Sequence, residues 1–333
     1  MHRIPTSPPH ILPLSIEDKD RPLWSVMIPV YNCANYLAET LNSVLSQAMP
    51  EKDMQIEVVD DASTDTDVEA LVKHIGNSRV KYFRQPENVG SLRNFETCIN
   101  RAKGKLIHIL HGDDKVRTGY YSAISQLFRD YPEAGAAFCR HNCINETGQQ
   151  VYSQPSEMKQ PGILNNWLPK IAERQRTQYV AITIRREVFE KLGGFYGITY
   201  GEDWEMWARI AKHYPIAYTP AMLADYRKHS SSISENKYRT GQHIKDIAQA
   251  IELIQSHLPQ SQRKTILQKS KRYYAHHCMK IANQLWRKLH DQQVVDTQVK
   301  QVLYLHKEPW LYWKITQVYI KIFLHTLWRK VLQ

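Results

Sequence analysis

The stretch Lys105–Lys115, KLIHILHGDDK, decides the reading of the fold. Lys105 to Leu110 suits a β-strand, and the chain then turns through Gly112 into two adjacent aspartates, Asp113 and Asp114. Each acid raises the cost of ionising the other, so a pair that stays charged calls for a cation between it and something else. Paired acids at a strand's end also suit an open α/β sheet, which binds its ligands outside the carboxyl ends of its strands.

Upstream the same alternation repeats. WSVMIPV (24–30) is an apolar run suited to a buried strand, and Leu37, Leu41, Val44, Leu45 and Ala48 then recur at helical spacing, with Asn35 placed to cap. IEVVD (56–60) leads through the turn-rich DASTD to a helix carrying Val68, Leu71 and Val72. VKYF (80–83) is a third strand, followed by a loop and a helix that stops near Gly104. Strands and helices in this order predict an α/β fold with a mostly parallel sheet and helices on both faces. Pro29, Tyr31, Asp60, Asp61, Asp113 and Asp114 all fall at strand carboxyl ends, so the topology should bring them to one rim. Further on, YVAITIRREVFEKLGG reads as a strand and a short helix. Glu202 and Asp203 then open a helix whose Trp204 and Trp207 belong to the core, and the helix dipole favours ionised acids there.

The chain has neither GxGxxG nor GxxxxGK[ST], so both phosphate-cradling loops are absent. A phosphorylated ligand would then need a hard cation such as Mn²⁺ or Mg²⁺, bridging carboxylates to phosphate. The acids have plainer uses too: Asp60 and Asp61 as turn and helix caps, Glu202 and Asp203 as first-turn acids.

Six segments in order resemble the glycosyltransferase family 2 enzymes, with their GT-A (Rossmann-like) nucleotide-diphosphosugar fold. They are VMIPVYNCANYLAETLNSVLSQ, IEVVDDASTD, ENVGSLRNFETCINRAKG, HILHGDD, KLGGFYGITYGEDWEMWARI and YRKHSSSIS. The resemblance implies that Pro29 and Tyr31 line the base pocket, that Asp61 and Asp60 bond the base or ribose, and that Arg93 lies near the base or diphosphate. It makes Asp113 and Asp114 the end of the metal-binding acidic motif, with one on the metal and the other on ribose or a metal-bound water. Asp203 becomes the general base, Glu202 orients the acceptor or its loop, and His229 reaches the metal or diphosphate. This chain departs from the commonest family pattern at His111, where an aspartate is usual.

Charge divides the sequence. The net charge of +11 sits in the last third: residues 236–333 hold 17 Lys and Arg against five Asp and Glu. There the pattern is purely helical, and PWLYWKITQVYIKIFLHTLWRKVLQ carries a narrow polar stripe at Lys314, Gln317, Lys321 and His325. Its charges are too frequent for a membrane span, and a helix lying in the headgroup region of an anionic membrane fits better. Packing on the protein's own helices or on a second subunit is the other reading. Charge alone admits nucleic acid, but no recognised module supports it, and no nucleic-acid partner is expected. Five scattered cysteines suit reduced thiols in the cytoplasm; Cys139, His141 and Cys143 read as strand packing, because a zinc site lacks its other half. The N-terminal prolines interrupt any secretory signal.

The expected organisation is a mobile arm over 1–21, a GT-A domain over 22–235 and a basic helical region over 236–333. The expected function is that of an inverting, metal-dependent glycosyltransferase. It would move a sugar from a nucleoside-diphosphate sugar (a UDP-sugar) to a hydroxyl of a glycan or lipid-linked acceptor in cell-surface polysaccharide synthesis. Its place would be peripheral, on the cytoplasmic face of the membrane. The alternatives are a non-catalytic nucleotide-sugar-binding scaffold and a nucleotidyltransferase.

Overall fold

The computed structural model describes residues 2–15 and 20–331, the last two of these without their side chains. The chain folds as two compact units, Met1–Trp167 with Arg176–Lys228, and Leu168–Gln175 with His229–Gln333.

The first unit begins with β1 (Trp24–Val30), α1 (Ala34–Leu45), β2 (Met54–Asp60), α2 (Val68–Gly76), β3 (Lys81–Arg84), α3 (Ser91–Arg101) and β4 (Leu106–Ile109). It continues with β5 (Lys115–Val116), α4 (Tyr120–Asp130), β6 (Ala136–Ile144), β7 (Gln150–Ser153) and β8 (Gly162–Ile163). After α5 (Trp167–Glu173) come a 3-10 turn (Tyr179–Ala181), β9 (Ile182–Arg185), α6 (Arg186–Leu192), α7 (Glu202–His213) and β10 (Ile216–Arg227). Ten strands form one sheet in the order β3-β2-β1-β4-β9-β6-β10-β5, with β7 on β6 and β8 on β10. The run β3-β2-β1-β4 is parallel throughout, as is the long β6–β10 pair, while β9 runs antiparallel between β4 and β6. The short strands β5, β7 and β8 also pair antiparallel. This is the α/β, GT-A-type architecture expected from the sequence.

All seven residues of β1 are buried, which is why it reads as an unbroken apolar run. Trp24, Val26, Ile28 and Val30 pack on one face with Leu37, Leu41 and Val44 of α1, Val72 of α2 and Tyr121 and Ile124 of α4. On α1 the buried positions 37, 40, 41 and 44 follow the helical repeat. Helix α3 buries Leu92, Phe95, Cys98 and Ile99 and packs on β1, β2 and β4. The Trp24 indole donates to Ser125 Oγ at 3.0 Å, so the buried ring leaves no orphan donor. Helix α1 starts one residue before Asn35, with Cys33 at its cap, and Asn35 does no capping. Cys139, His141 and Cys143 are buried along β6, as strand packing requires.

Residues 2–15 correct the expectation of a mobile arm. A proline-rich strip forms no ladder of its own, so its carbonyls must find donors elsewhere. Gly194 N–H donates to Pro9 O at 2.9 Å, Gly197 N–H to Pro5 O at 2.8 Å, and the Arg186 guanidinium to Leu12 O at 3.0 Å. Ile11 is fully buried.

In the second unit, α8 (Ile233–Thr240), α9 (Gln242–Gln255), α10 (Gln260–Leu289), α11 (Gln292–Leu305) and α12 (Pro309–Val331) follow without strands. The 30-residue α10 is the spine, against which α9, α11 and α12 pack. Ser270 Oγ on it donates to Ala172 O and Glu173 O, which ties the Leu168–Gln175 segment to this unit. Among the described residues, no helix is long and apolar enough to cross a membrane.

Candidate active site

Parallel pairing sets the rim. β1 lies between β2 and β4 with Val30 opposite Asp60 and Met27 opposite Ile109, so all three strands discharge in one direction. Tyr31, Asp60, Asp61 and the 111–114 loop therefore share one edge, as the sequence implied. Gly112 N–H donates to Pro29 O at 3.2 Å, which binds the acidic loop to the end of β1. A Cβ on Gly112 would meet Cys33 Sγ and Val30 Cγ2 at 2.9 Å, so only glycine lets the loop approach that closely.

The loop is fixed from several sides. Thr40 Oγ1 donates to Gly112 O at 3.0 Å and to Asp114 O at 2.7 Å. Asp114 is buried, and its Oδ1 accepts the Arg227 backbone N–H at 2.8 Å. Burial, then the Asp113 charge, pushes its carboxyl well above the usual carboxylate range. Asp113 is only half-buried. The fully buried Arg227 side chain reaches beneath both. Its Nε donates to Asp113 O at 2.9 Å, Nη1 to Glu146 O at 3.1 Å and Asn145 O at 3.3 Å, and Nη2 to Glu39 Oε2 at 3.0 Å. The guanidinium also lies over the Tyr36 ring, 4.8 Å from its centroid. In the sequence Arg227 stands out only as part of YRKH; its place two residues before His229 was the available signal.

One ligand atom each from His111, Asp113 and Asp114 lies within 4.8 Å of the others, the one cluster of its kind among the described residues. The His111 Nε2 atom is buried and has no hydrogen-bond partner among the described residues. Burial pushes the ring's pKa down, which keeps a lone pair available. One imidazole nitrogen with carboxylate oxygens is a donor set that suits Mn²⁺ and admits Mg²⁺ less readily. The residues thus fit a divalent cation.

His111 stacks on Phe95 with centroids 5.2 Å apart and meets the Tyr179 ring at 4.5 Å. Tyr179 in turn contacts Trp207 at 5.6 Å, and its hydroxyl donates to Glu202 Oε1 at 3.2 Å. This aromatic chain joins the acidic loop to the start of α7. Gly201 caps that helix at φ 93°, a left-handed conformation that glycine adopts without strain. Asp203 is 5% exposed, and its Oδ1 accepts the Trp204 N–H at 2.7 Å. Burial, reinforced by the neighbouring Glu202 carboxylate, pushes its carboxyl well above the ordinary range.

The remaining expected site residues are placed as follows. Pro29 is buried within β1, and Tyr31 just beyond it is 49% exposed. Asp60 is fully buried and accepts from Ser63 N–H at 2.9 Å, Tyr82 Oη at 2.8 Å and Arg84 Nη1 at 2.5 Å. Asp61 accepts from Val89 N–H at 2.8 Å, Gly90 N–H at 3.0 Å and Asn88 Nδ2 at 2.9 Å, so it shapes the 88–90 turn. Burial pushes its carboxyl up, opposed by the two backbone donors. Arg93 donates to Glu96 at 2.6 Å and to His2 O at 2.9 Å. His229 opens the second unit, with Nδ1 2.8 Å from Ser231 Oγ.

Residues 25–193 match the family model described as glycosyl transferase family 2. The putative teichuronic acid biosynthesis glycosyltransferase TuaG of Bacillus subtilis is 25% identical over 228 residues, covering 66% of this chain and 84% of that one. The hyaluronan synthase of Pasteurella multocida is 34% identical over 143 residues, covering 42% of this chain but 14% of the synthase. The matched part of the curated relatives ranges from 13% to 84% of their length. Among solved structures, residues 1–349 of Staphylococcus aureus TarS in complex with UDP-GlcNAc superpose with a TM-score of 0.62 at 16% identity, over 90% of both chains. That likeness is one of fold.

Proposed function

This chain belongs to glycosyl transferase family 2, and from that premise we propose an inverting, metal-dependent transfer from a UDP-sugar. The acceptor is a hydroxyl of a glycan or lipid-linked saccharide in cell-surface polysaccharide synthesis, at the cytoplasmic face of a membrane. The observation that carries this reading is the meeting of His111, Asp113 and Asp114 within 4.8 Å at the carboxyl end of β4. The polysaccharide-directed names of TuaG and the hyaluronan synthase support the acceptor class.

Asp113, the more open acid, and His111 Nε2 would hold the cation, and Asp114 would complete the set or hold a water on it. When bound, Mn²⁺ or Mg²⁺ supplies positive charge to the diphosphate leaving group. Arg227 holds the Asp113 backbone in place so that this charge meets the phosphates without reorganisation. Tyr31 offers an exposed ring to the base, while Pro29, Asp60 and Asp61 shape the wall beside it. Arg93 supplies positive charge near the diphosphate, and His229 a ring nitrogen. Asp203 takes the acceptor's proton; its raised pKa makes it a stronger base than an exposed aspartate, at the cost of needing a higher pH to ionise. Glu202, bonded to Tyr179, orients the α7 terminus that carries it.

Nucleotide release from UDP-, GDP- and dTDP-sugars, with and without Mn²⁺, tests the proposal. Release from a UDP-sugar that depends on Mn²⁺ is expected; none from any donor in the presence of a glycan acceptor would sink it.

A further inference from the structure

Helix α12 is apolar on two opposite sides. Leu311, Ile315, Val318 and Ile322 are buried at three- and four-residue spacing, on a helix that packs on α10. Half a turn away, Trp313, Ile320, Leu324 and Leu327 are 44–57% exposed, and Trp310, Phe323 and Trp328 beside them 57–62%. Lys314 and Lys321 run along one flank. A helix whose outer face met only water would carry polar residues there, and a contiguous exposed patch of this kind marks a docking surface.

A recess of about 240 Å³ opens in the same unit. Trp286, His290, Gln292, His325, Thr326 and Arg329 line it, and no carboxylate does. The His290 and His325 rings stack with centroids 4.4 Å apart, held edge-on by Trp286 at 5.4 Å from each. The nearby Asp291 turns its Oδ1 to the Gln293 and Val294 N–H groups of α11. Two imidazoles, a guanidinium, an amide and a hydroxyl are donors suited to a phosphate.

We propose that α12 lays its outer face into an anionic bilayer and that the His290–His325–Arg329 recess takes the phosphate of an anionic phospholipid. This deepens, and for its biology rests on, the membrane placement in the proposed function. Charge selects the occupant. Residues 236–333 hold 17 Lys and Arg against five acids, so a second copy on this face would bring like charges together, whereas an anionic bilayer neutralises them. The aromatic residues complete the case, since Trp and Tyr rings settle at the headgroup level of a bilayer.

Co-flotation of the full chain with phosphatidylcholine vesicles, with and without phosphatidylglycerol, tests this. Binding to the anionic vesicles should exceed binding to the neutral ones by at least about tenfold. The double variant Ile320→Asp, Leu324→Asp alters exposed side chains only and should lose binding while keeping its helical circular dichroism. Arg329→Gln should weaken binding about fivefold, the contribution of one charge at an anionic surface, and His325→Gln should weaken it measurably as well. Equal binding to both vesicle types, or undiminished binding by the double variant, overturns the proposal. So does a concentration-dependent dimer that the double variant abolishes, in a wild type that ignores vesicles. Saturation of the recess by inorganic phosphate with no effect of Arg329→Gln on vesicle binding would make it a free-anion site and overturn the lipid assignment. Nucleotide release from a UDP-sugar, read in the same samples, separates the chemistry: vesicle binding without any release defeats the catalytic reading and leaves this one standing.

Discussion

Replacing Arg227 by methionine should loosen the acidic loop more than any change to the acids themselves. The guanidinium is fully buried and donates to three backbone carbonyls, Asp113 O, Asn145 O and Glu146 O, at 2.9–3.3 Å. Methionine keeps the stem and much of the packing on Tyr36 but supplies no donor. Each stranded carbonyl costs about 1–1.5 kcal/mol net, so the three together cost about 3–5 kcal/mol. The fourth partner, Glu39, is 49% exposed and recovers water, so it adds under about 1 kcal/mol. Local opening of the 111–117 and 144–148 segments should then rise by a factor of about 10² to 10³. Hydrogen–deuterium exchange read on peptides spanning those segments measures this directly, without requiring the two units to unfold together. Arg227→Lys should recover part of the protection, because one ammonium can serve only some of the three carbonyls. If exchange in both peptides changes by less than about fivefold, the carbonyls are satisfied without Arg227 and the clamp does not exist.

The other predictions concern the base, the cation and the N-terminal strip. Asp203→Asn should leave donor binding near wild type while cutting transfer by about 10² or more, read as kcat against the donor dissociation constant; equal rates would remove Asp203 from its role. Since burial and then Glu202 raise the Asp203 carboxyl, activity should rise with pH as that carboxyl ionises, and Glu202→Gln should move this acid limb to lower pH. An unmoved limb would mean that another group titrates there. His111→Phe keeps the ring contacts with Phe95 and Tyr179 but deletes the nitrogen, and should weaken Mn²⁺ binding measured by paramagnetic resonance; unchanged affinity takes His111 out of the donor set. Arg186→Met should destabilise the first unit by about 3–5 kcal/mol in urea, because the buried guanidinium bonds Ile99 O, Ala102 O and Leu12 O.

The sheet was legible because its strands are unusually plain. Trp24–Val30 and Met54–Asp60 are almost wholly buried, so they appear as apolar runs that no helical repeat can imitate. Glu202 opening α7 was equally readable, since a glycine before two acids marks a helix start. What the sequence hid was the use each polar group is put to. Asp60 and Asp61 occupy rim positions, yet their oxygens are taken up by Ser63, Tyr82 and Arg84, and by Asn88, Val89 and Gly90. Nothing in the spacing of acids says which will be spent on turns. Arg227 was hidden for the converse reason: it lies more than a hundred residues from the loop it supports, and only the β10–β5 and β10–β6 pairings bring it there. The N-terminal strip escaped notice because backbone carbonyls leave no mark in composition.

The aromatic chain bears on why an imidazole can stand at position 111. An aspartate there would be a third carboxylate in a loop where burial already pushes Asp114 upward. The histidine instead shares its faces with Phe95 and Tyr179, and Tyr179 carries the hydroxyl that holds Glu202. The residue that offers a nitrogen to the cation is therefore packed against the ring that positions the terminus bearing Asp203. Moving His111 by the few tenths of an ångström that cation binding demands must press on Tyr179, because a close-packed interior transmits such shifts and does not absorb them. In this chain the leaving-group end and the acceptor end of the site are mechanically one piece, joined by two rings, and a substitution that shrinks Tyr179 should separate them.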